Sequence, residues 1–149
     1  MCSRAFLSEK ILHGTPSGID NSVSTFGGVI KFVKGSITTL PTSNTDLHVL
    51  LVNTNVGRNT RNLVAGVRSR LESHPDIINP VLESIEAVSQ EFLALYQSHD
   101  QHSLQKMEQL VDYNQGLLQT LGVSHPALQN IIRIFASYGK WSSKYVIKS

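Results

Sequence analysis

Residues 13–28 read His13-Gly14-Thr15-Pro16-Ser17-Gly18-Ile19-Asp20-Asn21-Ser22-Val23-Ser24-Thr25-Phe26-Gly27-Gly28, placing turn formers, one carboxylate and a closing glycine pair within sixteen residues. Gly14, Pro16, Ser17 and Gly18 punctuate the backbone and leave little helical periodicity, so the first part reads as a loop. The segment after Asp20, NSVSTF, suits a short helix capped by Ser17 or Asp20, whose short oxygen-bearing side chains can accept from the free N–H groups of a first turn. Gly27-Gly28 is the expected stop, because glycine takes the left-handed conformation of a helix end without a steric cost.

Working outward, VIKFV (29–33), Lys34-Gly35 and SITTL (36–40) predict two strands joined by a tight turn, since β-branched residues cluster around a glycine-bearing connection. After Pro41 and a polar stretch, LHVLLVN (47–53) is a nearly continuous apolar run that suits a strand covered on both faces. Beyond residue 58 the period becomes helical. Val64, Val67 and Leu71 form one stripe, and Ile78, Val81, Leu82, Ile85, Val88, Phe92 and Leu95 a longer one. A third helix carries Leu104, Met107, Val111, Leu118 and Leu121 with Gly122 as its stop, and a fourth carries Leu128, Ile131, Ile132 and Phe135. Pro75 and Pro126 each follow a Ser-His pair and suit a first helical turn, while Pro80 is early enough to be tolerated or to mark a kink. The final SYGKWSSKYVIKS has no clear period and reads as a ragged end.

The chain has 149 residues, 40% hydrophobic and 16% charged, which describes a folded chain with a real core and not a disordered one. A net charge of +2 spread over thirteen basic residues argues against nucleic acid as a partner, and no aromatic side chains interleave with Arg58, Arg61, Arg68 and Arg70 as single-strand binding requires. The one cysteine, Cys2, excludes an intrachain disulfide and fits a reducing compartment, so a cytoplasmic location is expected. No apolar run approaches the ~20 residues of a membrane span, and MCSRAFLSEK lacks the apolar core of a signal peptide.

Glu9 and Asp20 flank the Gly/Pro/Ser loop, an arrangement that could hold one acid on a metal and aim the other at a hydroxyl. A carboxylate acts as general base when within hydrogen-bond reach of the attacking hydroxyl, and phosphoryl transfer also needs Mg²⁺ to neutralise phosphate oxygens. The plain alternative makes Asp20 a cap or Asx-turn residue and Glu9 a solvated acid. His99 and His102 beside Asp100 have a spacing that metal ligands use, yet they stand in a polar helix-joining stretch. Asn114, on the apolar line of its helix, is either a buried polar residue with a backbone partner or the edge of a pocket.

HGTPSGIDNSVSTFGG closely resembles the segment that carries the catalytic aspartate in mevalonate kinases, within the superfamily of galactokinase, homoserine kinase, mevalonate kinase and phosphomevalonate kinase. The likeness runs from about Ala5 to Phe135 and more faintly through Ser143-Lys144. It implies that Asp20 acts on the hydroxyl that receives phosphate and that Glu9, eleven positions earlier, helps hold Mg²⁺. The stretch Asn53 to Arg61 resembles the family's strand-to-helix turn beside the acceptor site, which makes Thr60 a substrate contact unless it is only a helix cap. The implied fold is a two-domain α+β small-molecule kinase, here partial. Residues 1–43 would be the end of the N-terminal domain with the catalytic Asp segment and hairpin, and residues 44–149 an incomplete C-terminal domain, with the boundary near 41–46.

The implied reaction is transfer of the ATP γ-phosphate to mevalonate, in the supply of isoprenoid and sterol precursors, by a homodimeric cytoplasmic enzyme that uses Mg²⁺ with ATP as co-substrate. Such kinases cradle phosphate on a Gly/Ser-rich loop that opens a helix, with an assisting lysine near the start and a second glycine loop after a Ser-Lys pair. None precedes Glu9, and Ser143-Lys144 is followed by YVIKS, so the 149-residue chain alone is expected not to turn over ATP. Two rivals stand beside this reading: a related kinase for another small alcohol, and a non-catalytic helical interaction module derived from a kinase. The apolar face of the 29–40 hairpin is expected to be more exposed than in a closed domain.

Overall fold

The hairpin turn shows how locally this chain is specified. Lys34 and Gly35 both take positive φ, 48° and 85°, the paired left-handed geometry whose twist matches two strands joined by a two-residue loop. Strands β1 (Val29–Val33) and β2 (Ser36–Leu40) pair antiparallel on either side of it, from Val33 opposite Ser36 out to Val29 opposite Leu40. Ile30 and Phe32 on β1, with Ile37 and Leu40 on β2, are half-buried, while Val29 and Val33 are exposed.

The computed structural model describes residues 7, 11, 17–41, 51–57, 59–98, 103–137 and 146–148. The chain divides into two compact units, Met1–Asn44 and Thr45–Ser149. Among the described residues it is mostly helical with the antiparallel hairpin, the composition of a partial α+β kinase fold.

In the first unit, helix α1 spans Ile19–Phe26 and packs on β1. Its cap is neither Ser17 nor Asp20. Gly18, at φ 78°, occupies that position with no side-chain cap bond, and Ser17 Oγ lies 3.4 Å from the Ile19 N–H, too long to count as a firm bond. Instead the Ser22 hydroxyl donates to the Gly18 carbonyl at 2.8 Å and is buried there. The expected stop is present: Gly27, at φ 69°, donates its N–H to the Val23 carbonyl. Phe26 beside it is 65% exposed.

The second unit begins, among described residues, with the short strand β3 (Leu51–Asn53), which pairs parallel with β4 (Val146–Lys148). The expected ragged end is therefore corrected at 146–148. A three-residue strand is too short to carry a readable period, and its partner lies far away in sequence. Among the described residues four helices lie between the strands: α2 (Thr60–Ser73), α3 (Pro75–Gln97), α4 (Ser103–Thr120) and α5 (Pro126–Ser137). Pro75 and Pro126 open their helices, where a missing N–H leaves no bond unmade. Pro80 lies inside α3 near its start.

The most extensive helix packing is α3 on α4, with α2 against α3. Among the described residues, Ile78, Tyr96, Met107, Leu110, Leu121 and Leu128 are the buried apolar side chains. The α2 stripe differs from expectation by one position. Val64 is 62% exposed, and the half-buried row is Leu63, Val67 and Leu71, residues four apart that stack along one face. Val111, expected inside, is 38% exposed. The α3–α4 junction is tied by Ser98 and Ser103, whose hydroxyl oxygens lie 2.7 Å apart, with Ser103 1% exposed. His99, Asp100 and His102 lie outside the described residues.

Candidate functional site

Asp20 is the second residue of α1 and is exposed. With Gly18 in the capping position, the plain reading of Asp20 as the cap falls away. Its carboxylate stands in the first turn of the helix, open to solvent. Glu9 lies outside the described residues.

In the second unit, the chain leaves β3 through a turn built by its own amides. Asn53 Oδ1 accepts from the Asn55 N–H at 2.9 Å, and Asn55 takes φ 53°, a left-handed conformation that asparagine tolerates. Asn59 then caps α2: its Oδ1 accepts from Asn62 N–H at 3.1 Å, and its carbonyl accepts from Leu63 N–H at 3.2 Å. Thr60 is consequently the first helical residue and not the cap, and it is exposed.

This turn forms one wall of a cavity of about 260 Å³. Thr54, Val56, Asn59, Asn62 and Leu63 line it on that side, and the α4–α5 loop supplies Gly122, Val123, Ser124 and His125, with Pro126 and Leu128 of α5. The Thr54 hydroxyl is buried and finds no hydrogen-bond partner among the described residues. Thr60, expected beside an acceptor site, neighbours the cavity in sequence through Asn59 without lining it.

The loop wall is held in several ways. Helix α4 ends with Gly122 N–H donating to the Gln119 carbonyl at 2.9 Å and Val123 N–H to the Leu118 carbonyl at 3.1 Å, the paired bonds of a glycine-terminated helix. Gln115 Nε2 donates to Ser124 Oγ at 2.9 Å. His125 Nδ1 accepts from the Ala127 N–H at 3.1 Å and its carbonyl from Gln129 N–H, so the histidine caps α5. His74, in the same Ser-His-Pro context before α3, makes no side-chain cap bond.

The two prolines of these triplets open their helices as the sequence predicts, whereas the capping role of His125 is not among its expectations. The signal was its position immediately before a helix-opening proline. Asn114, which reads as either a buried polar residue or the edge of a pocket, is half-buried and does not line the cavity, while its neighbour Gln115 holds the loop. Among the described residues no group of three or more His, Cys, Asp or Glu side chains is placed to hold a metal ion. Nor is any described helix long and apolar enough to cross a membrane.

Comparison with known proteins bears out the resemblance read from residues 13–28. No family model matches the chain. Among curated proteins it is 46% identical over 132 residues to a mevalonate kinase of Arabidopsis thaliana, covering 86% of this chain and 35% of that protein. It is 42% identical over 141 residues to the Homo sapiens mevalonate kinase, 91% of this chain and 35% of the relative. The mevalonate kinase of Dictyostelium discoideum is 38% identical over 138 residues, 88% of this chain and 35% of that protein. The chain thus spans about a third of the length of the curated relatives it matches.

Proposed function

We propose that this chain is a segment of an ATP-dependent phosphotransferase of the mevalonate kinase type, one that moves the γ-phosphate of ATP onto the primary hydroxyl of mevalonate. The observation that carries the reading is the likeness to curated mevalonate kinases across most of the chain, including the run around Asp20. Asp20 draws the proton from the attacking hydroxyl. Its exposed place in a first helical turn suits that role, because a base must be able to reach its substrate.

Glu9 is the residue assigned to Mg²⁺. A single carboxylate fits the ion's chemistry, since Mg²⁺ prefers oxygen donors and takes one or two protein carboxylates together with substrate phosphates. When bound, the ion neutralises phosphate charge that builds as the γ-phosphoryl group is transferred. Thr60, relieved of capping by Asn59, offers its hydroxyl to the acceptor alcohol at the start of α2. A homodimeric assembly and a cytoplasmic setting belong to the same proposal, the latter supported by the single cysteine.

The test exchanges the matching segment of the Arabidopsis relative for this one. The chimera should release ADP from ATP in a mevalonate-dependent way. Asp20→Asn in that background should lower kcat by about 10²-fold or more while KM for mevalonate moves far less, the signature of a group that acts in the transition state. A near-normal kcat in Asp20→Asn would end the catalytic assignment. Turnover of a different small alcohol in place of mevalonate would overturn the substrate.

A further inference from the structure

Arg70 lies three residues before the end of α2, and its guanidinium rests against two glycines. A methyl group built on Gly122 would fall 2.6 Å from its Nη2 and 2.8 Å from its Cζ, and one built on Gly66 would fall 3.0 Å from its Nη1. The guanidinium therefore occupies space that only the absence of side chains leaves open. Gly66 is one turn back on the same helix. Gly122 belongs to a different element, the terminus of α4, and it opens the loop whose Val123, Ser124 and His125 line the cavity.

Two physical effects hold the contact. The last carbonyls of α4 form the negative end of its dipole, which attracts a cation placed beside it. The guanidinium is also planar and weakly hydrated, so it packs against bare backbone more readily than an ammonium would. The opposite cavity wall, Asn59, Asn62 and Leu63, stands on the first turn of α2, the helix that carries Arg70. One side chain near the far end of α2 thus ties the loop wall to the helix that builds the facing wall.

We infer that Arg70 is a positioning residue that sets the separation of the two cavity walls and, through it, the fit of a small polar acceptor beside the Asn53–Arg61 turn. The second part rests on the function proposed above. The effect does not require Arg70 to touch the acceptor, since it acts through Gly122 and the loop.

The experiment uses the full 149-residue chain, with backbone amide NMR spectra of the parent, Arg70→Lys and Arg70→Ala, each titrated with mevalonate. Lysine keeps the charge but not the flat fork, so both variants should shift the amides of Gly122, Val123, Ser124 and His125. Both should weaken mevalonate binding by roughly tenfold or more, as small misplacements of positioning groups do, and Arg70→Lys should do so with a melting temperature close to that of the parent. A purely structural or purely electrostatic Arg70 would instead leave the lysine variant like the parent in both readouts and overturn the inference, as would unmoved loop amides in Arg70→Ala. If the parent itself shows no mevalonate-dependent shifts, the acceptor reading of this turn fails, and the loop amides of the unliganded variants still decide whether Arg70 positions the wall.

Discussion

Replacing Gly122 with alanine tests the backbone geometry at the end of α4 and its contact with Arg70. The residue sits at φ +70°, where an L side chain costs about 1–2 kcal/mol. The new methyl group would lie 2.6 Å from Arg70 Nη2. Because that atom is the far end of a flexible side chain, the guanidinium swings away instead of straining the backbone. What is lost is its attraction to the end of α4, about 0.3–1 kcal/mol. The smaller backbone entropy of alanine in the unfolded chain offsets about 0.4–1 kcal/mol, leaving a net destabilisation of about 1–2 kcal/mol.

For a unit of this size, that is a fall in melting temperature of about 4 °C or more, measurable by circular dichroism at the helical band. The same substitution in an Arg70→Ala background keeps the φ penalty but has no guanidinium to displace, so its cost should be smaller by the Arg70 share. A Gly122→Ala variant that melts within about 1 °C of the parent would refute the backbone argument. Equal costs in the two backgrounds would refute the placement of Arg70 on Gly122.

Three further substitutions probe the local devices described above. Asn59→Ala removes the α2 cap and should cost about 1 kcal/mol in urea unfolding, whereas Asn59→Asp should cost little. Lys34→Asn places a residue tolerant of left-handed φ before Gly35 and should stabilise the hairpin by about 0.5–1 kcal/mol, read as slower amide exchange across β1 and β2. Thr54→Val exchanges a buried, unpartnered hydroxyl for a methyl of similar shape and should be neutral or stabilising by about 1 kcal/mol, with a destabilised variant showing that the hydroxyl has a partner after all.

How much of this was legible in the sequence depends on the distance over which each signal acts. The Lys34-Gly35 turn, the Gly27 and Gly122 stops and the proline-opened helices are each settled by two or three neighbouring residues, and all appear where the pattern placed them. Capping was harder although it is local. At both α1 and α2 the cap lies outside the residues singled out, on Gly18 and Asn59, because capping depends on which residue leaves the helical backbone and not only on which side chain carries an oxygen. The shift from Val64 to Leu63 on α2 is of the same kind: both choices continue through Val67 and Leu71, and only the tertiary packing of α2 selects between them.

The candidate site divides along the same line. Asp20 was legible because a contiguous run carries it, and Thr60 because it begins a helix after a polar turn. The cavity was not, since its walls, at residues 54–63 and 122–128, are separated by two intervening helices. Nothing in the spacing of Arg70 and Gly122 joins them either. Their contact depends on α2 and the end of α4 being brought together by packing, after which the missing Cβ of Gly122 admits the guanidinium. Arginine on a polar helix face reads as a solvated charge, and a glycine after a helix reads as a stop. Each reading is correct by itself, and the fold adds a second role to both residues by placing one against the other.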